Sequence, residues 1–370
     1  MTLLDRFKTV EVGGVMQLEA ECSQIRERAS IQCRMVHFCV FPETELWELQ
    51  RFMRFCAALK YTHIVLEFWG TLKYDCLKEL SWDSGFDKAQ IRPIISEARA
   101  LGLEIVPMFN HWGHASASRA MHGKHVVLDQ APSLQTYFSE DGWCWDIGKA
   151  KVKSLLRQVR NELIELCGDG SYFHIGCDEA YGFEFTRENM DFVCDFLNSI
   201  SDEMNECGRR VIVWGDMFLY SHKHYSNTYV CNAPTPEAEQ YLLCRLDKRI
   251  TIADWQYDVA HSPVETSLVF KEAGFDCFLC PWDKGVAQLD SCVDTVRKES
   301  LCGVIHTTWH TLSSGLPFVL LCAVKSFDDG KSMPYLAAYG KSAALMRRVM
   351  PSCGDYKKAG WSKIQVSSKW

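Results

Sequence analysis

From about residue 32 the chain alternates between two patterns: short runs in which nearly every position is apolar, and longer stretches whose apolar positions recur with helical period. The short runs fall at residues 35–40, 63–68, 104–109, 172–176, 211–214, 250–254, 276–280 and 303–307. Each has the length of a strand buried on both faces. Between them, residues 44–60 carry Leu46, Leu49, Phe52, Met53, Phe55, Cys56 and Leu59 on one side. Residues 88–101 do the same with Ile91, Ile94, Ile95, Ala98 and Leu101, and residues 147–167 with Val152, Leu155, Leu156, Val159, Leu163, Ile164 and Leu166. Residues 184–207 follow suit. Strand–helix alternation of this kind builds a parallel α/β sheet, and eight such strands predict a (β/α)8 TIM barrel. A doubly wound sheet would show a glycine-rich turn after its first strand, and Val40-Phe-Pro-Glu-Thr-Glu45 has none. The predicted division is an N-terminal extension over 1–31, a barrel over 32–350 and a C-terminal tail over 351–370 rich in Lys, Ser and aromatics.

A barrel places its active site at the carboxyl ends of its strands. In order, those ends read Phe41-Pro-Glu43, Glu67-Phe-Trp-Gly70 with Tyr74-Asp75 beyond, Asn110-His-Trp-Gly-His114, Asp178-Glu179, Trp214-Gly-Asp216, Asp254-Trp-Gln-Tyr257, Pro281-Trp-Asp283 and Thr308-Trp-His310. Tryptophan stands at six of the eight ends, beside carboxylates, amides and imidazoles. Any one of these tryptophans could simply fill the core. Together they suit a sugar, whose C–H face rests on a flat aromatic surface while its hydroxyls find polar partners. Two long connections are expected to wall the pocket. One contains Gly123-Lys-His-Val-Val-Leu-Asp129 and Trp143-Cys-Trp-Asp146; the other contains His222, His224, Tyr225 and a further strand predicted at 228–231.

Composition narrows the function classes. A net charge of −7 argues against a nucleic-acid partner. No apolar run is long enough to span a membrane, and the opening residues lack the apolar segment of a secretory signal, so a cytoplasmic location is expected. The 18 cysteines are scattered, with one Cys-x-x-Cys at Cys277-Phe-Leu-Cys280 inside an apolar run. They read as buried thiols, and neither a metal nor a cofactor is expected. The helix predicted over 331–348 is a candidate surface for a homodimer.

The focal stretch is Tyr172-Phe-His-Ile-Gly-Cys-Asp-Glu-Ala-Tyr181, a strand that ends in the adjacent carboxylates Asp178 and Glu179. Such a pair can cap a helix, bind a metal or cleave a glycoside. His174-Ile-Gly-Cys-Asp-Glu179 resembles the His-x-Gly-x-Asp-Glu motif of glycoside hydrolase family 20, the β-N-acetylhexosaminidases. Trp112-Gly-His114, Trp214-Gly-Asp216, Trp255-Gln-Tyr257 and Thr308-Trp309 stand in the order of that family's strand-end motifs, over residues 32–312.

The resemblance implies an exo-acting retaining enzyme in which the substrate's own 2-acetamido oxygen attacks the anomeric carbon and forms an oxazolinium ion. Glu179 would be general acid and then base, and Asp178 would orient the acetamido N–H. A charge at Asp178 would also hold the Glu179 proton to higher pH. Tyr257 would donate to the acetamido oxygen, Trp309 would floor the sugar, and Trp214 and Trp255 would wall the acetamido methyl. Asp216, Trp282 and His114 complete the substrate-binding set.

The chain departs from the family in three places. Few residues precede the first strand, where many members carry a separate domain. Arg34 stands at the wrong end of that strand to hold the sugar's outer hydroxyls. The last-strand Trp-x-Glu reads Trp309-His-Thr311. Glu67, Asn110 or Asp283 are candidates to replace the missing groups. Two other readings compete. One is a retaining glycosidase with a protein nucleophile at Asp254 or Asp283, acting on sugars without the acetamido group. The other is a silent sugar-binding barrel, which would have no reason to keep the acid pair.

Overall fold

The computed structural model describes residues 7–12, 15–20, 29–116, 127–220, 229–309, 312–327 and 333–349. All eight predicted runs are strands, and they close into a parallel barrel. Two further strands precede them: β1 (Phe7–Val12) and β2 (Val15–Ala20) form an antiparallel hairpin. The barrel strands are β3 (Cys33–Cys39), β4 (His63–Glu67), β5 (Glu104–Met108), β6 (Tyr172–His174), β7 (Arg210–Trp214), β8 (Thr251–Asp254), β9 (Asp276–Leu279) and β10 (Gly303–Thr307). They pair in chain order, and β10 closes back onto β3.

The helices are α1 (Leu46–Ala58), α2 (Lys88–Ala100), the short α3 (Val127–Gln130), α4 (Ala150–Cys167), α5 (Arg187–Glu206), α6 (Pro236–Arg245), α7 (Glu265–Glu272), α8 (Val286–Glu299), α9 (Leu312–Lys325) and α10 (Tyr335–Arg348). Local chemistry sets several of their starts. Thr186 accepts the Asn189 N–H at the head of α5, and Thr235 accepts the Ala238 N–H at the head of α6, which opens on Pro236.

Period-two alternation divides each strand between two cores. Met35, Val65, Val106, Met108, Ile212, Ala253, Phe278 and Ile305 fill the barrel interior. Their neighbours Val36, Ile64, Ile105, Val211, Ile252, Leu279 and Val304 pack outward against the helices. Both faces are therefore dry, which is why the runs are continuously apolar instead of alternating.

One feature was not predicted and two predicted ones differ. The hairpin β1–β2 lies in the extension, where the signal was Gly13-Gly14 between two apolar-polar runs. The strand predicted at 228–231 is absent from its described part, Tyr229 to Cys231. There the Gln256 side chain takes the place of a neighbouring strand: its Oε1 accepts the Val230 N–H (2.8 Å), and its Nε2 donates to the Val230 carbonyl (3.2 Å). The last predicted helix begins at Tyr335, after Pro334. Residues 123–126, His222, His224, Tyr225, Thr228, His310, Thr311, 331–332 and the tail 351–370 lie outside the described residues. No described helix is long and apolar enough to cross a membrane.

Candidate active site

The site begins where β5 and β6 end side by side. Beyond His174 the chain keeps its ladder to β7 for two more bonds, Ile175 N–H to the Ile212 carbonyl and Trp214 N–H to the Gly176 carbonyl (both 2.9 Å). It then turns through left-handed backbone at Gly176, Cys177 and Glu179 (φ 65°, 76° and 45°). Non-glycine residues held there signal local strain that the surroundings sustain. Gly176 is demanded twice over, because a Cβ at that position would lie 1.7 Å from Asn110 Oδ1. Gly113 has the same function on the other chain segment, where a Cβ would lie 1.8 Å from the Asp178 carbonyl oxygen. The two glycines let the strand ends run in contact, and that contact carries His114 to the acid pair.

Glu179 is held from every side. His114 Nε2 lies 2.7 Å from Glu179 Oε2 and 3.5 Å from Asp178 Oδ2. The Tyr181 hydroxyl donates to Glu179 Oε1 (2.5 Å). Trp143, from the long β5–α4 connection, donates its indole N–H to the Glu179 carbonyl (2.6 Å) and packs its ring against His114. Asp216 Oδ2 accepts the Glu179 backbone N–H (2.9 Å). The two carboxylates sit in unequal settings: Asp178 is buried, while the Glu179 side chain keeps 23% of its surface exposed.

Asp216 lies behind the pair, 1% exposed, and its carboxylate also accepts from Trp255 Nε1 (2.9 Å) and Asn232 Nδ2 (2.8 Å). Burial, and next the charge of Asp178, push its carboxyl up to about 8 against the pull of these donors. Asp216 thus ties the acid strand to the aromatic wall beside it.

That wall comes from β7, β8, β9 and β10. Trp214 and Trp309 approach at 5.9 Å between ring centroids, Trp255 and Tyr257 at 5.2 Å, and Tyr257 and Trp282 at 5.1 Å. The Tyr257 oxygen accepts from Trp309 Nε1 (2.8 Å) and from the Thr307 hydroxyl (3.2 Å). Trp214 is fully buried, whereas Trp255, Tyr257, Trp282 and Trp309 are half-buried. Beneath them lies a polar layer inside the barrel. His37 packs under Trp309 (4.5 Å) and reaches Glu67 (3.0 Å), and His174 packs against Trp214 (4.4 Å). Burial pushes His174 down to about 3, so it is neutral. Glu67 is fully buried in that layer. Asn110 is buried against Gly176, and neither end of its amide finds a hydrogen-bond partner among the described residues.

Several residues at the predicted strand ends stand elsewhere. Trp69 is buried in a stack on Phe109 (4.6 Å), and Trp112 is buried against Phe183 (4.8 Å); both pack under loops. Arg34 serves structure at the opposite end of β3, donating to the carbonyls of Ile31, Gln32 and Lys60. Asp254 faces outward to α7, where Thr266 donates to one oxygen and Gln256 to the other. This orientation turns it away from Glu179 and corrects its candidacy as a nucleophile. His114, Asp178 and Glu179 offer ligand atoms within 4.8 Å of one another, the one set among the described residues with the spacing of a metal site. Trp143 and Tyr181 went unassigned in the sequence, although both lie in stretches it singled out.

A family model described as the catalytic domain of glycosyl hydrolase family 20 matches residues 70–258, just over half of the chain. The chain belongs to glycosyl hydrolase family 20. It is 23% identical over 167 residues to Beta-hexosaminidase 1 of Coccidioides posadasii, across 38% of this chain and 27% of that protein. Its fold is similar to the chitobiase of Flavobacterium johnsoniae (TM-score 0.62, 16% identity, 91% of this chain and 53% of that one). It is also similar to the β-N-acetylhexosaminidase of Bacteroides fragilis (TM-score 0.59, 15% identity, 90% of this chain and 71% of that one). The chain thus spans about a quarter of the curated relative and about half of the Flavobacterium structure.

Proposed function

We propose that this family 20 chain is an exo-acting, retaining β-N-acetylhexosaminidase. It releases terminal β-linked N-acetylglucosamine or N-acetylgalactosamine from oligosaccharides or glycoconjugates. The observation that carries the reading is the unequal setting of two adjacent carboxylates. Glu179 is partly exposed and reached by His114 and Tyr181, as suits a group that exchanges a proton with a leaving group. Asp178 is buried next to it.

In the reaction, the substrate's acetamido oxygen attacks the anomeric carbon while Glu179 protonates the departing glycosidic oxygen. Asp178 accepts the acetamido N–H and stabilises the positive charge of the oxazolinium ion. Glu179 then takes a proton from water, whose oxygen attacks the anomeric carbon and reopens the ring with net retention. The Tyr257 oxygen already accepts two hydrogen bonds, which supports donation of its own proton to the acetamido oxygen. Trp309 floors the sugar, Trp255 and Trp282 complete the wall, and the fully buried Trp214 backs Trp309 from behind.

Most of the described cysteines are buried, which supports a reducing, cytoplasmic setting as part of the proposal. The exposed Leu336 and Tyr339 on α10 support a homodimer through that helix.

The test is hydrolysis of aryl β-glycosides of N-acetylglucosamine, N-acetylgalactosamine, glucose and galactose by wild type and Asp178→Asn. Cleavage confined to the N-acetyl sugars, blocked by a thiazoline analogue and reduced on the order of a hundredfold or more in Asp178→Asn, is expected. Equal cleavage of the plain sugars would refute the acetamido mechanism.

A further inference from the structure

Tyr181 is a large aromatic residue left 53% exposed, two positions beyond the proposed acid. Among the described residues the other large exposed hydrophobic side chains, Tyr335, Leu336 and Tyr339, all lie on α10. The Tyr181 ring stacks on Trp143 at 5.7 Å and 23°, and Trp143 packs in turn at a tilt against His114 (4.6 Å). Its hydroxyl donates to Glu179 Oε1 (2.5 Å), while Oε2 faces His114. Partial burial, and next the hydrogen bond to the Glu179 carboxylate and its charge, hold the Tyr181 phenol well above its usual range, so it remains a donor.

A general acid must present one carboxyl oxygen to the glycosidic oxygen. On the hydrolase reading the aromatic wall of β7 to β10 takes the sugar that is cleaved, and the leaving group lies on the exposed side of Glu179. The group standing on that side is Tyr181. We propose, on the basis of the reading above, that Tyr181 is the leaving-group contact of this enzyme. Its hydroxyl occupies the place of the glycosidic oxygen beside Glu179 Oε1. Its ring, braced by Trp143, is the surface on which a sugar or aryl leaving group rests. On binding, the glycosidic oxygen takes over Oε1, and the displaced hydroxyl turns to solvent, which its exposure allows.

The experiment measures kcat and KM of wild type, Tyr181→Ala and Tyr181→Phe on two substrates. One is the β-1,4-linked disaccharide of N-acetylglucosamine. The other is N-acetylglucosaminyl β-fluoride, whose leaving group has no ring to stack and needs little protonation. Aromatic contacts of this kind predict that Tyr181→Ala loses about threefold to tenfold in kcat/KM on the disaccharide, mostly through KM, and changes little on the fluoride. Tyr181→Phe, which keeps the ring, restores KM on the disaccharide. A loss in kcat on the disaccharide that Tyr181→Phe shares, with KM unmoved, would mean that Tyr181 only props up Glu179 through its hydroxyl, and an undiminished disaccharide rate would mean that it does nothing; either overturns the inference while the hydrolase reading stands. A wild type inactive on both N-acetyl substrates would bring down that reading and the inference with it.

Discussion

Gly176 sits in the motif that marks this family, and the structure says what it is for. Replacing it with alanine places a Cβ 1.7 Å from Asn110 Oδ1, 2.6 Å from its Cγ and 3.0 Å from its Cα, at φ 65°. The left-handed backbone costs a non-glycine residue about 1–2 kcal/mol, and overpacking adds about 1–3, for a loss of about 2–5 kcal/mol. Relief by backbone movement would shift Asp178 and Glu179, and a misplacement of about 1 Å costs on the order of a hundredfold in rate. Urea unfolding followed by tryptophan fluorescence gives the stability, and hydrolysis of an aryl N-acetylglucosaminide gives the rate. The decisive construction is the cycle with Asn110→Ala. Clearing the Asn110 amide removes the two shortest contacts but neither the 3.0 Å approach to its Cα nor the backbone penalty, so the pair should show about 1–3 kcal/mol of favourable coupling. Additive losses would refute the steric account and leave φ as the sole reason for the glycine.

Two further outcomes are expected. Burial pushes Asp254 up to about 6 despite its bonds from Thr266 and Gln256. A raised folded-state value contributes stability that is fully present below the unfolded carboxylate range and lost as pH rises through about 6, here about 3 kcal/mol. Asp254→Asn should abolish this component, seen as a flatter unfolding free energy between pH 4 and 7, and should keep its activity; an inactive, folded variant would restore Asp254 as a nucleophile. Tyr257→Phe removes the acceptor for Trp309 and the proposed donor to the acetamido oxygen. It should cut kcat/KM on N-acetyl substrates about tenfold to a hundredfold, the worth of one hydrogen bond to a charged centre. A loss of under twofold would remove Tyr257 from the mechanism.

The barrel was legible because strands dry on both faces are written as unbroken apolar runs, and their ends then sort the polar residues. Which face a residue takes was not legible, since an all-apolar run hides its own alternation. Asp254 shows this: only its partner Thr266 on α7 reveals that it points outward. Trp69 and Trp112 show a second limit, because a tryptophan at a strand end serves equally well as packing under a loop. Trp143 and Tyr181 show a third. Trp143 reaches Glu179 from 36 positions away in the chain, a proximity that spacing does not encode.

The close passage of the β5 and β6 ends has a bearing on how related chains are sorted. The six-residue motif supplies two carboxylates, but their aim is set by Gly113, His114 and Trp143 on the neighbouring connection. A homologue that retains Asp-Glu and has lost that connection would keep the signature without the reactivity. Telling working members from vestigial ones therefore calls for both strand ends to be inspected as a unit.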